Sequence, residues 1–259
     1  MRPVQLIADG LHTTGWRVGP EDAPPAVLLH GVPTSAMLWS RLPEHLPDRP
    51  LLALDLPGYG GTAPLPVPSL PAHLSWLSAA LSALGLPAKL HLVGQDYGGL
   101  LAALHATGHG AESLTLTSCP TGLLWLIPRL TATPPLHRYF YERHSGGLYL
   151  HHGVNADARA AFLAEFGEAA GQVGLSEMMR QTALHLSART LWRLSGRLSG
   201  VATQLLWGDQ DRFSPPITAA WTARRLGSAR VLIEGGRHYV PFGRPAEYAA
   251  ALRSWWTVG

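Results

Sequence analysis

The sequence predicts an α/β fold, in which a mostly parallel sheet carries helices on both faces and a helical segment is inserted. Three observations support this prediction. Short apolar runs, typical of strands buried on both faces, recur along the chain. Stretches with apolar residues at helical spacing separate these runs. The alternation stops after Ser118 and resumes near Ala202, so we expect one core formed by residues 1–118 and 201–259, with a helical cap at 119–200.

The first part of the core begins with two edge strands that turn at Asp9-Gly10. Apolar strands follow, each leading into a turn or a helix. Pro43 stands inside the first predicted helix, and Gly85 and Pro87 end the second. The pattern predicts strands at 4–8, 12–18, 26–30, 51–55, 90–93 and 114–118, and helices at 36–46, at 70–84 and from Leu100 onward.

The same rhythm returns near the end of the chain. Between the two parts, prolines and aromatic residues interrupt it, and only helical patterns at 156–166 and 176–194 stand out. The final third predicts a strand at 202–207, a helix at 215–226, a strand at 229–233 and a closing helix at 245–256.

Composition excludes several classes of protein. A chain of 259 residues with 46% hydrophobic residues is long and apolar enough to bury a substantial core. Its formal net charge of +3 comes from scattered basic residues, which argues against a nucleic-acid surface. The single cysteine, Cys119, excludes an internal disulfide framework. No signal peptide or membrane span is visible, so we expect a cytoplasmic protein without a membrane partner.

The most informative stretch is 89–104, KLHLVGQDYGGLLAAL, which predicts a strand, a tight glycine-rich turn and a helix. Asp96 lies between Gly94 and Gly98, the place that Ser takes in the G-x-S-x-G turn. A carboxylate there is already an anion at neutral pH and suits attack on an alkyl carbon, which would leave a covalent ester on the protein. The alternative is an ordinary Asp in a glycine-rich turn or at a helix N-cap.

Two loops in the last third supply partners for such a nucleophile. Asp209 and Asp211 follow the strand predicted at 202–207, and His238 follows the strand predicted at 229–233. The chain order is therefore nucleophile, acid, histidine, and all three follow strands.

With these residues in view, the chain resembles the α/β-hydrolase superfamily, and within it the branch with an aspartate nucleophile: haloalkane dehalogenases, epoxide hydrolases and fluoroacetate dehalogenases. The resemblance covers nearly the whole chain. Five motifs carry it in order: HGVPTSAMLW, DLPGYGGT, VGQDYGG, WGDQD and GGRHYVP.

The resemblance implies a role for each matching residue. Asp96 would be the nucleophile, His238 the base that activates water, and Asp211, rather than Asp209, the acid that orients the imidazole. The backbone N–H groups of Val32 and Tyr97 would form the oxyanion hole. His30 would hold the turn before Val32 in a structural role.

The substrate signatures of the branch are only partly present. Dehalogenases bind the halide with side-chain N–H donors at the positions of Val32 and Tyr97, and neither residue fits that role. Cap tryptophans, Trp125 or Trp192, could replace them, although both also suit core packing. Epoxide hydrolases use two cap tyrosines to protonate the opening ring. The candidates for the first are Tyr139, Tyr141 and Tyr149, and no tyrosine stands near the end of the cap for the second.

The resulting hypothesis is an epoxide hydrolase-like enzyme acting on a small apolar molecule. Haloalkane dehalogenase-like hydrolysis of a carbon–halogen bond is the alternative within this chemistry. A ligand-binding protein that keeps the pocket without turnover is the alternative from another class, and Asp96 disfavours esterase or cofactor-free oxygenase activity. His105 and His109 lie four apart on one helix without a third ligand nearby, so we expect no metal and no cofactor.

Overall fold

The computed structural model describes residues 1–119, 152–166, 197–198 and 200–258. These residues form an eight-stranded sheet with the strand order β1-β2-β4-β3-β5-β6-β7-β8. The pairs β1 with β2 and β2 with β4 are antiparallel, and the remaining pairs are parallel. The strands are β1 Arg2–Ala8, β2 Leu11–Val18, β3 Ala26–Leu29, β4 Leu51–Leu54, β5 His91–Gln95, β6 Ser113–Thr117, β7 Thr203–Gly208 and β8 Ala229–Ile233.

Helices cover both faces of this sheet, as the sequence predicts. One apolar cluster joins the sheet to α1, α2 and α4, and a second joins the opposite face to α3, α5, α6 and a short 3-10 helix. The helices are α1 Leu70–Ala83, α2 Tyr97–His109, α3 Arg159–Phe166, α4 Pro216–Leu226, α5 Val240–Gly243 and α6 Pro245–Val258, and the 3-10 helix is Ala36–Trp39.

The helix expected at 36–46 is wrong in its length. Only Ala36–Trp39 is helical, and turns follow it. Pro43 has no N–H to continue a helix, and its ring would clash with the carbonyl of Trp39, four residues earlier. The apolar side chains that suggested the helix, among them Leu38 and Leu42, are nevertheless fully buried.

The helix expected from Leu100 begins earlier, at Tyr97, directly after Asp96. The carbonyl of Asp96 accepts hydrogen bonds from the backbone N–H groups of Gly99 and Leu100, at 3.1 and 3.3 Å. Strand β5 and helix α2 are therefore joined by a single residue. This abrupt join positions the candidate site.

Candidate active site

The backbone at Asp96 is strained, with φ of 50° and ψ of −120°. This region is sparsely populated by residues other than glycine, and such strain is concentrated at functional sites. The flanking glycines make the turn possible. A Cβ at Gly98 would run into the carbonyl oxygens of Leu29 and His30, and a Cβ at Gly94 would lie 2.5 Å from the carbonyl oxygen of Gly98.

The Asp96 carboxylate lies between a backbone donor and an imidazole. Its Oδ1 accepts a long hydrogen bond of 3.4 Å from the backbone N–H of Val32. Its Oδ2 lies 3.6 Å from Nε2 of His238. The side chain is 21% exposed, so the carboxylate is reachable from outside although its neighbours are buried. A Cβ at Gly31 would overlap the Asp96 side chain, so glycine there permits this close approach.

His238 is also held by the acid predicted from the sequence. Its Nδ1 donates to Asp211, at 3.0 Å from Oδ2 and 3.2 Å from Oδ1. The Asp211 carboxylate is fixed in turn, because its Oδ1 accepts the backbone N–H groups of Phe213 and Ser214, each at 2.9 Å. Asp209 is exposed at the start of the same loop. The structure thus brings Asp211, and not Asp209, to the imidazole.

Two carboxylates control the charge of the imidazole. Burial alone would lower the pKa of His238, but the negative charges and hydrogen bonds of Asp211 and Asp96 outweigh it and raise the pKa to about 10. With this raised pKa, His238 carries a proton at neutral pH in the unreacted site, and its two ring nitrogens face the carboxylates of Asp211 and Asp96. The charge on Asp96 is part of what keeps the proton on His238.

The turn that carries Val32 is fixed by a histidine, as the sequence predicts. Nδ1 of His30 donates to the carbonyl oxygen of Gly31 at 2.8 Å, and Nε2 accepts the backbone N–H of Leu56 at 2.9 Å. Burial lowers the pKa of His30 despite the nearby Asp55 carboxylate, which agrees with a neutral imidazole that donates from one nitrogen and accepts at the other. His30 thus ties the loop after β3 to the loop after β4.

Two polar residues that support the site were missed by the sequence reasoning. The hydroxyl of Tyr239 donates to the carbonyl oxygen of Val32 at 3.0 Å and links the histidine loop to the Val32 turn. The Asp55 carboxylate accepts the Thr14 hydroxyl at 2.6 Å and the backbone N–H of Ala36 at 2.8 Å. Their signals in the sequence are their places in two of the five motifs. Asp55 opens DLPGYGGT at the end of a buried strand, and Tyr239 follows His238 in GGRHYVP.

A cluster of aromatic residues adjoins the nucleophile turn. Tyr97 is 3% exposed, and the ring of His73 meets it edge to face at 5.4 Å. Tyr59 is also buried, and its hydroxyl has no hydrogen-bond partner within the described part of the chain. Burial, with smaller effects of Tyr97 and Asp96, raises the pKa of Tyr59 well above its usual value, so its phenol stays neutral. At neutral pH this phenol therefore adds no charge beside the nucleophile turn.

One stretch of the expected cap packs on the histidine loop. The carbonyl oxygen of Gly153 accepts the backbone N–H of Tyr239 at 2.8 Å, and the side-chain amide of Asn155 donates to the carbonyl oxygen of Gly235 at 2.5 Å. Phe162 on α3 stacks on Tyr239 with ring centroids 4.8 Å apart. The cap residues singled out by the sequence lie outside the described residues: Trp125, Tyr139, Tyr141, Tyr149 and Trp192.

The histidine pair on α2 forms no larger cluster. The rings of His105 and His109 stack at 4.3 Å, and no third metal-ligating side chain joins them in the described ranges. Among the described helices, none combines the length and the apolar character needed to cross a lipid bilayer.

Comparison with known proteins identifies the family. The model of the alpha/beta hydrolase family matches residues 26–251. The chain belongs to this family. The lipase LipV of Mycobacterium tuberculosis (strain ATCC 25618 / H37Rv) is 36% identical over 263 residues, covering 92% of this chain and 95% of the lipase. Haloalkane dehalogenase 2 of Mycobacterium bovis is 26% identical over 253 residues, covering 88% and 86% of the two chains.

Other comparisons show the alpha/beta hydrolase fold without separating its activities. The crystal structure of the haloalkane dehalogenase DbeA from Bradyrhizobium elkani USDA94 superposes with a TM-score of 0.75 at 21% identity, over 97% of this chain and 98% of that one. The chain spans only 39% and 34% of the lengths of two further curated relatives that it matches. Both lipases and dehalogenases are thus similar to this member of the family, and the residues of the site must distinguish between them.

Proposed function

We propose that this alpha/beta hydrolase uses Asp96 as a nucleophile that forms a covalent ester with an alkyl carbon, and that its substrates are epoxides. One observation carries the proposal: at the turn where lipases and esterases place a serine, a carboxylate lies between the backbone N–H of Val32 and Nε2 of His238. The function of Asp211 would be to orient the imidazole and to stabilise its positive charge.

The identity of the nucleophile argues against ester hydrolysis, although LipV is a similar protein. Attack of a carboxylate on an acyl carbon would give a mixed anhydride, and the tetrahedral intermediate would expel the carboxylate more readily than the alkoxide of the substrate. Attack on an alkyl carbon instead gives an ordinary ester, which is stable until water is activated. Asp96 therefore favours substrates with a leaving group on a saturated carbon.

In the first step, an oxygen of Asp96 would attack a ring carbon of the epoxide. The carbon–oxygen bond of the ring breaks, its electron pair moves to the ring oxygen, and that oxygen takes a proton. Tyr139, Tyr141 and Tyr149 are the proposed donors, as the resemblance implies. Positioned general acids contribute about 10²–10⁴ in rate, so loss of the true donor should nearly abolish ring opening.

In the second step, water would hydrolyse the ester. His238 takes a proton from water, the resulting hydroxide adds to the carbonyl carbon of the ester, and negative charge develops on the carbonyl oxygen. The backbone N–H groups of Val32 and Tyr97 would stabilise this charge. Such a donor contributes roughly 2.7–4 kcal/mol to the barrier. On collapse, the bond between the carbonyl carbon and the oxygen of the product breaks, and that oxygen takes the proton from the imidazolium to give the diol. The acid proton left on Asp96 returns, directly or through solvent, to the donor of the first step, which restores the Asp96 carboxylate.

Hydrolysis of a carbon–halogen bond is the second candidate, because haloalkane dehalogenase 2 is similar over 88% of this chain. The same nucleophile, base and acid would serve, and the halide would leave without a proton. This candidate lacks side-chain N–H donors at Val32 and Tyr97. It would need Trp125 or Trp192 to bind the departing halide.

The proposal is tested by trapping the ester. His238→Ala removes the base of the second step and leaves the nucleophile, so incubation with a substrate should add the mass of that substrate to the Asp96 peptide. Asp96→Asn under the same conditions should give no adduct. An unmodified peptide in His238→Ala, with a substrate that the wild type consumes, would refute the mechanism.

A panel of compounds separates the candidate activities. Terminal epoxides, aryl epoxides, bromoalkanes and short acyl esters are incubated with the wild type, and the diol, free halide and carboxylic acid are measured. We expect diol from epoxides. Release of halide alone would favour the dehalogenase, release of carboxylic acid alone the esterase, and binding without any product the ligand-binding protein.

A further inference from the structure

Strand β8 leaves one side of its backbone unpaired at the edge of the sheet. It pairs only with β7 within the described residues. The carbonyl of Ile233 points toward β7, where it accepts the backbone N–H of Asp209 at 3.2 Å. Because backbone groups alternate sides along a strand, the N–H and C=O groups of Arg230 and Leu232 point away from β7. Such an edge is a template for pairing with another strand.

The side chains at this edge are more apolar than an exposed strand requires. Val231 and Leu232 are 39% and 42% exposed, and on the neighbouring helix α4 Trp221 is 46% exposed. Edge strands that must stay single are usually blunted by short length, proline, a bulge or charged side chains. β8 carries the sequence ARVLI, with neither proline nor a carboxylate. Arg230 is its one charged residue, and Glu234 directly follows the strand.

The two charges are placed symmetrically about Leu232. Arg230 lies two residues before it and Glu234 two residues after it, and both side chains are exposed. In an antiparallel pair related by a two-fold axis at Leu232, residues whose numbers lie equally far on either side of 232 face each other. Arg230 of each copy then lies beside the partner's Glu234, which is the first residue of the turn after β8, and this contact occurs twice in the same interface.

We propose that two copies of this chain associate through β8, with the strands antiparallel and Leu232 on the two-fold axis. This register also satisfies the backbone, because the outward N–H and C=O groups of Leu232 face those of the partner's Leu232. A register centred on Arg230 would bring two like charges together. A register centred on Val231 would place Arg230 opposite an apolar side chain. Charge complementarity therefore selects the register centred on Leu232.

Two single charge reversals, and the double variant that combines them, test this register. Arg230→Glu and Glu234→Arg each turn both attractive pairs into repulsive ones, whereas the double variant restores both pairs with their signs exchanged. We expect a wild-type dimer in light scattering at about 100 μM protein, at least about tenfold weaker association in each single variant, and recovery in the double variant. Glu44→Arg, an exposed charge reversal outside β8, is the matched control and should leave the dimer intact.

Leu232→Lys provides an independent test, since it places two like charges on the axis itself. Circular dichroism and thermal unfolding check that each variant is folded. A monomeric wild type at this concentration, a dimer that survives both single reversals and Leu232→Lys, or a double variant that stays monomeric would each overturn the proposal. Because the readout is mass in solution, it is independent of the catalytic proposal.

Discussion

At the scale of single residues, Asp96 and His238 control each other's charge. The pKa of His238 is raised to about 10 in part by the Asp96 carboxylate. In the proposed mechanism, forming the ester would neutralise that carboxylate and lower the pKa of the imidazole. The base would then lose its proton more readily at the stage where neutral imidazole is needed. Ester formation at Asp96 would in this way favour the neutral form of His238 that the second step needs.

This coupling predicts how stability depends on pH. The pKa of His238 is raised from 6.5 to about 10 on folding, so its stabilising contribution is fully present below pH 6.5 and is lost as the pH rises through about 10. We expect the difference in unfolding temperature between the wild type and His238→Gln to shrink across this range. In the Asp96→Asn background, with one fewer carboxylate to raise the pKa, the same loss should occur at lower pH.

Thermal unfolding of these variants over a series of buffers measures the effect. Taking the difference from His238→Gln removes the contribution of other groups that titrate in the same range. A difference that grows as the pH rises would contradict the assigned charge state of His238.

At the scale of elements, the site depends on how closely α2 approaches β3. A Cβ at Gly98, in the first turn of α2, would overlap the carbonyl oxygens of Leu29 and His30, which are backbone atoms and cannot rotate away. A Cβ at Gly108, near the end of the same helix, would meet nothing within 4 Å. Gly98 and Gly108 therefore form a matched pair for substitution by alanine, because one position is tightly packed and the other is open.

We expect Gly98→Ala to displace the nucleophile turn, with a loss of stability of about 1–3 kcal/mol from overpacking and a large loss of turnover. Gly108→Ala should be neutral or stabilising by up to about 1 kcal/mol, because alanine is the better helix former. Urea denaturation measures stability, and product formation from a confirmed substrate measures turnover. Equal effects at both positions would show that close packing at Gly98 is unimportant.

Elements also show where reasoning from sequence succeeds and where it fails. The buried strands β3 and β4 are continuous apolar runs, and their positions follow from that pattern because a run without polar alternation fits a strand covered on both faces. The helix expected at 36–46 fails because apolar spacing suits a buried irregular segment as well as a helix, and Pro43 decides between them.

At the scale of the whole molecule, chain order brings the candidate residues together. Asp96, Asp211 and His238 each follow a parallel strand, and the carboxyl ends of parallel strands meet at one edge of the sheet. Their proximity could therefore be predicted. The bond from Tyr239 to Val32 could not, because strand order places the two loops at one edge of the sheet without indicating which side chain of one loop bonds to which backbone atom of the other.

The substrate is the property that the fold constrains least. Lipases and dehalogenases have similar chains and the same architecture, so the fold does not choose between acyl and alkyl chemistry. That choice rests on one carboxylate at the turn after β5. The proposed mechanism requires that an oxygen atom of Asp96 enters the product.

The most direct test is a single turnover in water enriched in heavy oxygen, with enzyme in excess over a confirmed substrate. If Asp96 forms an ester that water hydrolyses at the carbonyl carbon, the Asp96 peptide gains the heavy isotope and the product of the first turnover does not. A labelled product with an unlabelled Asp96 peptide would show that water attacks the substrate directly, and would contradict the account.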